Sequence, residues 1–403
     1  MILLASLACM VLCLELKRVQ VVTRHGARTT LSPFPAETED WICDGIGTVA
    51  FSTLQAGSTA QVAHFLAVYN TPRPTLKGGS CIQGILTKEG RLQHEQLGQS
   101  FRQKYGDFLP RRFAQEAFYI RSTNYERTKQ SAMSFLIGLY PELGKDSRYG
   151  GHGKVMPVIH IAEADDWLDL SDCPSLDKAR KYFSKDPEYV QLLKLHQESL
   201  ERLSELAGFD STVSWGVIRD NLAARTAMGI PLMKGFTEAD VEESRKMHDA
   251  HYRLVYCRSD PDERKKYLRP AIGRFLKLLT NEMSDDQRVE KFMLYSAHDT
   301  TLAPLMGALT DPEKYDCGQP YYASSLTFEL YQHESDRYIR FIYNGKPFVP
   351  PFCTSTTVAD LDNLCPFGEY VAGVSEFYSM DFEEECYHTQ WPDAEQIRVD
   401  KSL

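Results

Sequence analysis

Five consecutive residues, Arg24-His25-Gly26-Ala27-Arg28, offer the clearest chemistry in the chain. A neutral imidazole nitrogen is a good nucleophile toward phosphorus, and the phosphoramidate it forms hydrolyses readily. Two flanking arginines present fixed donor forks to phosphate oxygens. Gly26 lets the backbone turn tightly beside a bound anion. A lone Arg-His pair is more often a strand-end turn with exposed charges. Here the whole pentapeptide follows the apolar run Val19-Gln20-Val21-Val22-Thr23, which favours a phosphate site.

Two further clusters would complete such a site. Arg121, in Arg121-Ser122-Thr123, supplies a third cation for a group carrying up to two negative charges. Arg127 falls inside the helix predicted next and is read as a structural contact. His298-Asp299 supplies the rest. A hydrolase of alkyl phosphates must protonate a poor alkoxide leaving group, which a protonated carboxylic acid can do. Asp299 is the candidate acid, and later the base for an attacking water. His298 would donate a hydrogen bond to a phosphoryl oxygen. The remaining histidines are scattered without ligand spacing and are read as structural.

Each cluster stands at the end of a short apolar run. Ala117-Phe118-Tyr119-Ile120 precedes Arg121, and Phe292-Met293-Leu294-Tyr295 precedes Ser296-Ala297-His298-Asp299. Such runs read as buried strands. Helices follow two of them. Thr123 and Glu126 have capping-box spacing, and Tyr125, Thr128, Ala132, Phe135, Leu136 and Leu139 recur at helical intervals. Asp299 or Thr300 can cap the other helix, with Pro304 in its permissive first turn. Strand, polar turn, helix is the grammar of α/β proteins, whose ligands bind beyond the carboxyl ends of the strands.

From about Leu176 to Glu282 the period is mostly helical, with Thr237 capping one helix. This stretch reads as a cap over the site or as a covering layer for the sheet. Tyr321 to Tyr331 and Arg337 to Tyr343 alternate as strands of a hairpin. The predicted organisation is a signal peptide over 1–14, the first part of an α/β core over 15–165, a mostly helical cap over 166–285, and the rest of the core with a loop-rich tail over 286–403.

Composition sets the outer limits. The 403 residues are 43% apolar and 25% charged, an ordinary globular mixture long enough for a sizeable core. A net charge of −10 argues against general nucleic-acid binding, yet a local arginine cluster can still hold an anion. Met1 to Leu14 is apolar but too short to span a bilayer, and it lacks the usual positive n-region. A secretory signal is favoured over a buried first strand. No later run is apolar for long enough to be a transmembrane helix. Beyond the signal, Cys43, Cys81, Cys173, Cys257, Cys317, Cys353, Cys365 and Cys386 form an even, scattered set that suits disulfides in an oxidising compartment. No Cys/His cluster has zinc spacing. Against secretion, the chain has no Asn-x-Ser/Thr acceptor. Gly45-Ile46-Gly47, Lys77-Gly78-Gly79-Ser80 and Gly150-Gly151-His152-Gly153 lack P-loop or dinucleotide context and read as turns.

Together, Arg24-His25-Gly26-Ala27-Arg28, Arg121-Ser122-Thr123 with Arg127-Thr128, and His298-Asp299 resemble the histidine acid phosphatases. That branch of the histidine phosphatase superfamily includes prostatic and lysosomal acid phosphatases, lysophosphatidic acid phosphatase and phytases. The resemblance runs in order from about Glu15 to about Tyr343, and takes in Leu86-Thr87-Lys88-Glu89-Gly90 and Ser324-Ser325-Leu326-Thr327-Phe328-Glu329-Leu330. It implies a phosphoglycerate-mutase-like three-layer α/β core with a mostly helical cap, and acid phosphatase activity without metal or cofactor. By position it implies His25 as nucleophile, Asp299 as proton donor, and Arg24, Arg28, Arg121 and His298 as phosphate ligands. Expected substrates are small phosphate monoesters, among them lysophospholipids, inositol phosphates and phosphoproteins. A homodimer stays open. The expected location is the secretory pathway, secreted or lysosomal/vacuolar. The Lys77-Gly78-Gly79 region and Arg121-Ser122-Thr123-Asn124 look most like the lysophosphatidic acid phosphatase subgroup. One departure is Thr30, which stands where the family motif usually has proline. Two rivals are a mutase-like phosphotransferase and a catalytically silent phosphate-binding protein. Mutases typically use a glutamate as acid, and silent relatives often lose the nucleophile or the acid.

Overall fold

The structure is a computed structural model that describes residues 14–43, 76, 79–143, 157–163, 165, 167–169, 172–315, 317–354 and 363–392. The proposed signal segment, except its last residue, lies outside them, as do Gly45 to Gly47, Lys77-Gly78 and Gly150 to Gly153.

A mixed sheet organises the chain. Strand β1 (Glu15–Arg24) lies between β4 (Phe292–Ala297), which is parallel to it, and β5 (Ser325–His333), which is antiparallel. Beyond β4 come β2 (Phe118–Ser122) and the short β3 (His160–Ile161), both parallel. Beyond β5 come β6 (Asp336–Tyr343) and β7 (Lys346–Phe348), with β8 (Leu364–Pro366) also on β6. The predicted hairpin is β5–β6.

Both faces of the sheet are buried, so its central strands carry apolar residues on each side. On one face Val19, Val21, Phe118, Ile120, Phe292 and Leu294 meet Phe101, Phe135 and Leu139. Those come from α1 (Lys88–Tyr105) and α2 (Glu126–Leu139). On the other face Val22, Met293, Tyr295 and Phe328 meet a larger helical layer. Its members are α3 (Pro174–Phe183), α8 (Pro261–Ser284), α9 (Asp299–Leu309) and α10 (Phe367–Ser375). Removing such side chains from water contributes roughly 1.5–3 kcal/mol for each large one.

The helical stretch divides by what its members pack against. Besides α3 and α8 it contains α4 (Pro187–Leu195), α5 (Gln197–Leu206), α6 (Trp215–Met228) and α7 (Glu238–Tyr256). Leu200, Leu203, Trp215, Ile218, Leu222 and Met247 form a separate apolar cluster around Phe34, from the loop after β1. The end of α7, at Tyr252, Val255 and Tyr256, joins the sheet's own core. Thr237 caps α7 and accepts the Asp240 amide, as its spacing predicts.

Two local expectations are corrected. The Thr123–Glu126 box does not form: α2 starts at Glu126, and the Thr123 hydroxyl is taken up by Thr128 and His298. Helix α9 is capped at His298, so Pro304 lies well inside the helix rather than in its first turn. There it lacks the amide that would bond the Thr300 carbonyl.

All eight cysteines beyond the signal are paired: Cys43–Cys81, Cys173–Cys386, Cys257–Cys317 and Cys353–Cys365. Among the described residues no helix is long and apolar enough to cross a membrane.

Candidate active site

Three parallel strands end side by side. Arg24, the last residue of β1, is in register with Ala297 of β4, and Ser122 of β2 is in register with Ser296. His25, Thr123 and His298 therefore leave the sheet at one edge. His298 Nε2 lies 2.9 Å from the Thr123 hydroxyl, and the rings of His25 and His298 meet edge to face at 5.6 Å.

The loop carrying His25 is held from several sides. The Arg24 amide bonds the Ser324 carbonyl, the His25 amide bonds Ala297, and the Ala323 amide returns to the His25 carbonyl. Buried His94 of α1 bonds the Arg24 carbonyl through Nε2 at 3.0 Å. Thr87 caps α1, and both its amide and its hydroxyl donate to the Ala27 carbonyl. This explains why the Leu86-Thr87-Lys88-Glu89-Gly90 segment accompanies the pentapeptide. It also corrects the reason for Gly26. A Cβ there would sit 2.3 Å from the Gly90 carbonyl oxygen, so the position needs close approach of two backbones rather than an unusual turn.

His25 is 2% exposed. Its Nδ1 lies 2.8 Å from the Gly26 carbonyl oxygen, an acceptor that requires the proton on Nδ1. The lone pair is then on Nε2. Burial holds the pKa well below 6.5, and Arg24, Arg127, Arg28 and His298 push it the same way. The imidazole therefore stays neutral to a lower pH than an ordinary histidine. His298 is held down to about 3, again by burial first and then by Arg127.

Asp299 caps nothing beyond its own neighbour: Oδ1 accepts the Thr300 amide at 2.9 Å. Its Oδ2 accepts from Arg24 at 2.9 Å and from the Gln319 amide at 2.6 Å. Burial would raise its pKa, but Arg24, Gln319 and Arg28 outweigh it and hold the carboxyl at about 2.

The arginines divide differently from the sequence reading. Arg24 is stacked at 4.4 Å on Tyr322 and paired with Asp299. Arg28 is paired with Asp220 of α6 at 2.7 Å. Arg121 is not brought into this group. Its fork is filled by Asp165, at 2.8 Å from Nε and 2.7 Å from Nη2, and its phosphate role is corrected on that ground. Arg127, read as structural, belongs to this group instead: like Arg24 and Arg28, it acts by its charge on His25 and His298, and it lies within reach of Asp299. Its Nε is buried with no hydrogen-bond partner among the described residues, and its guanidinium rests 4.3 Å from the centre of the Tyr125 ring. Arg127 and Ser131 share a helix face, and Ser131 accepts the Gly26 amide, so that face of α2 lies against the His25 loop.

Sequence reading also missed Asp220. Its Oδ1 accepts from Arg28, while Oδ2 accepts from the Thr30 hydroxyl at 2.8 Å and from the amides of Leu31 at 2.6 Å and Ser32 at 3.0 Å. Thr30, the departure from the family motif, thus ties the loop to α6 where proline would stiffen it. Beside this group lies a cavity of about 320 Å³, whose lining includes Arg24, Arg28, Asp220 and Tyr322.

A buried neutral imidazole, a ring of guanidinium groups and a carboxyl at the same edge can bind a phosphoryl group and exchange its ester oxygen for the imidazole. The family description "Histidine phosphatase superfamily (branch 2)" matches residues 15–344. Lysophosphatidic acid phosphatase type 6 of Homo sapiens is 31% identical over 399 residues, covering 93% of this chain and 86% of that protein. Lysosomal acid phosphatase of Homo sapiens is 28% identical, covering 77% and 74%. Among solved structures, Klebsiella sp ASR1 phytase shares the fold with a TM-score of 0.61 at 16% identity, covering 91% of this chain and 96% of that one. Hafnia alvei phytase in complex with tartrate does so at 0.60 and 16%, covering 94% and 99%. The chain is a phosphoric monoester hydrolase, and it belongs to the histidine phosphatase superfamily, branch 2.

Proposed function

We propose that this enzyme transfers the phosphoryl group of a monoester to His25 and then to water. The observation that carries the reading is the Nδ1–H bond to the Gly26 carbonyl, which leaves the Nε2 lone pair free in a field of arginines. Arg24, Arg28, Arg127 and His298 hold the phosphoryl oxygens. In the first step Nε2 bonds to phosphorus, the P–O ester bond breaks, and the leaving oxygen takes a proton from the Asp299 carboxyl. In the second, Asp299 accepts a proton from water as the water oxygen displaces Nε2, releasing phosphate.

Asp299 at about 2 is a carboxylate before substrate binds. Two effects restore its proton. Phosphate charge offsets Arg24 and Arg28, which raises the carboxyl pKa. A monoester below its second pKa, roughly 6, also carries a proton into the site. His25 remains an unprotonated nucleophile there, so an acidic optimum follows. His25→Ala should abolish turnover and leave the fold intact. The wild-type phosphoenzyme should be acid-labile and stable to alkali, and full activity in the variant refutes the mechanism.

For the substrate we propose a lysophospholipid-type monoester. The support is the length of the match to lysophosphatidic acid phosphatase type 6, and the apolar Leu31, Val217 and Ala223 in the cavity wall. Helices α4 to α6 act as the cap. A phosphate-release panel of lysophosphatidate, inositol phosphates and phosphotyrosine peptide tests this choice. We place the enzyme in the secretory pathway, secreted or lysosomal, on the strength of its four disulfides and its lysosomal relative; recovery in a cytosolic fraction would contradict it.

A further inference from the structure

Two cavity residues take no part in the mechanism above. Arg219 of α6 and His248 of α7 line the same space as Arg24 and Arg28. Those two arginines are paired with carboxylates, Arg24 with Asp299 and Arg28 with Asp220. Arg219 makes no hydrogen bond or ion pair among the described residues. The nearby carboxylate of Asp249 is bound by Arg245 and by the Gln319 amide. His248 packs on the Tyr252 ring at 5.1 Å and against the first turn of α6, where a Cβ on Gly216 would sit 3.5 Å from its Cε1. Its ring nitrogens likewise have no hydrogen-bond partner among the described residues. Half-buried polar groups with unspent hydrogen-bonding capacity, converging on one cavity, are how a protein fixes the orientation of a ligand.

Their neighbours say which part of the ligand. The charge of Arg24 acts on both residues, and that of Asp299 acts on His248. Arg24 and Gln319, which hold the Asp299 carboxylate at 2.9 and 2.6 Å, line the same cavity, so the pair lies on the proton donor's side of the site, where the leaving oxygen departs. The charge balance says what kind of leaving group. Arg24, Arg28, Arg127 and Arg219 face Asp220 and Asp299, an excess of two positive charges. Asp169, 3.7 Å from His298, reduces it further. One transferring phosphate takes up that excess, and a second phosphate would find no compensating charge. His248, held down to about 4 mainly by burial, is neutral in the working range and can both donate to and accept from a hydroxyl.

We infer that Arg219 and His248 form a leaving-group subsite for uncharged oxygens, the hydroxyl or ester oxygens of a glycerol-type polyol, rather than for a second phosphate or an aryl ring. This rests on the phosphomonoesterase reading of His25.

The test compares sn-glycerol 3-phosphate, 4-nitrophenyl phosphate and myo-inositol hexakisphosphate as substrates of the wild type, Arg219→Ala, Arg219→Lys and His248→Phe. Arg219→Ala should lower kcat/KM for glycerol phosphate roughly ten- to a hundredfold, mainly through KM, and change aryl phosphate turnover less than about threefold. Arg219→Lys should recover part of that loss. His248→Phe, which keeps the packing on Tyr252, should show the same split. Equal losses on glycerol and aryl phosphates would overturn the inference by placing Arg219 on the transferring group. A larger loss on inositol hexakisphosphate would overturn it in favour of a second anion site, and no loss on glycerol phosphate would leave the subsite without a role. Should Arg219→Ala not fold, His248→Phe decides alone, and a missing split overturns the inference. Failure of the wild type to release phosphate from 4-nitrophenyl phosphate would instead defeat the reading of His25.

Discussion

Replacing Asp220 with alanine is the sharpest probe of how the phosphate site is assembled. The side chain is 14% exposed, and its partner Arg28 is 9% exposed. The change deletes one ion pair and the acceptor for the Thr30 hydroxyl and the Leu31 and Ser32 amides. Breaking a buried pair from one side costs about 3–5 kcal/mol. Arg28 borders an open cavity, so water can reach it, and about 2–3 kcal/mol of lost stability is the better expectation. The effect on rate is separate. Arg28 loses its anchor and is repelled by Arg24, Arg127 and Arg219, and an error of about 1 Å in a phosphate donor is worth on the order of a hundredfold. Steady-state kinetics on an aryl phosphate should show kcat/KM down roughly thirty- to a hundredfold, with thermal unfolding shifted downward. Asp220→Asn keeps one carbonyl oxygen and turns an NH2 toward the remaining donors, so a smaller loss of about tenfold is expected. Wild-type kcat/KM in Asp220→Ala, or tighter inhibition by inorganic phosphate from the extra positive charge, would refute the anchoring argument.

Arg127→Ala should reduce kcat/KM about a hundredfold, whereas Arg121→Ala should mainly lower thermal stability by exposing Asp165 and leave KM near wild type; the reverse pattern, read by kinetics and calorimetry, would reinstate Arg121. Gly26→Ala forces a Cβ against the Gly90 carbonyl and should cost several kcal/mol or prevent folding, measured by denaturant unfolding. His94 at about 4 and His298 at about 3 lie below the 6.5 of an unfolded histidine, so the unfolded chain binds more protons between those values. Stability should therefore fall as pH drops from about 6.5, by up to about 3 kcal/mol per histidine at pH 4. Asp299, held at about 2, adds to the loss below its unfolded value. A flat melting temperature between pH 7 and pH 4 would contradict these buried neutral rings.

Much of the fold and site was legible because the informative residues are local. The three apolar runs are strands that end in register, and His25, Arg24, Arg28, His298 and Asp299 leave at one edge. Arg121 misled because position along a strand was read without its face. Tyr119 and Arg121 alternate away from Phe118 and Ile120, toward a side where Asp165 waits. Arg127 required knowing which face of α2 lies over the loop. Asp220, Arg219 and His248 were beyond reach for another reason. They arrive from helices about 190 or more residues from the pentapeptide, and only tertiary packing brings them there. Likewise, nothing in the residues around Gly26 announces Gly90 as the reason for a glycine.

The place of β1 in the sheet has a consequence for how the protein is made. It is the earliest strand among the described residues, yet Val19 pairs with Phe292 on one side and Glu329 on the other. A ribosome must synthesise nearly three hundred residues before either edge of that strand is covered. Until then Val19, Val21 and Val22 are exposed beside unpaired amides, a state prone to misassociation. Closing the sheet around β1 is also what brings His298 and Asp299 to His25. The enzyme's competence therefore arrives in one late, cooperative step, and a nascent chain stopped before β4 would be both inactive and adhesive.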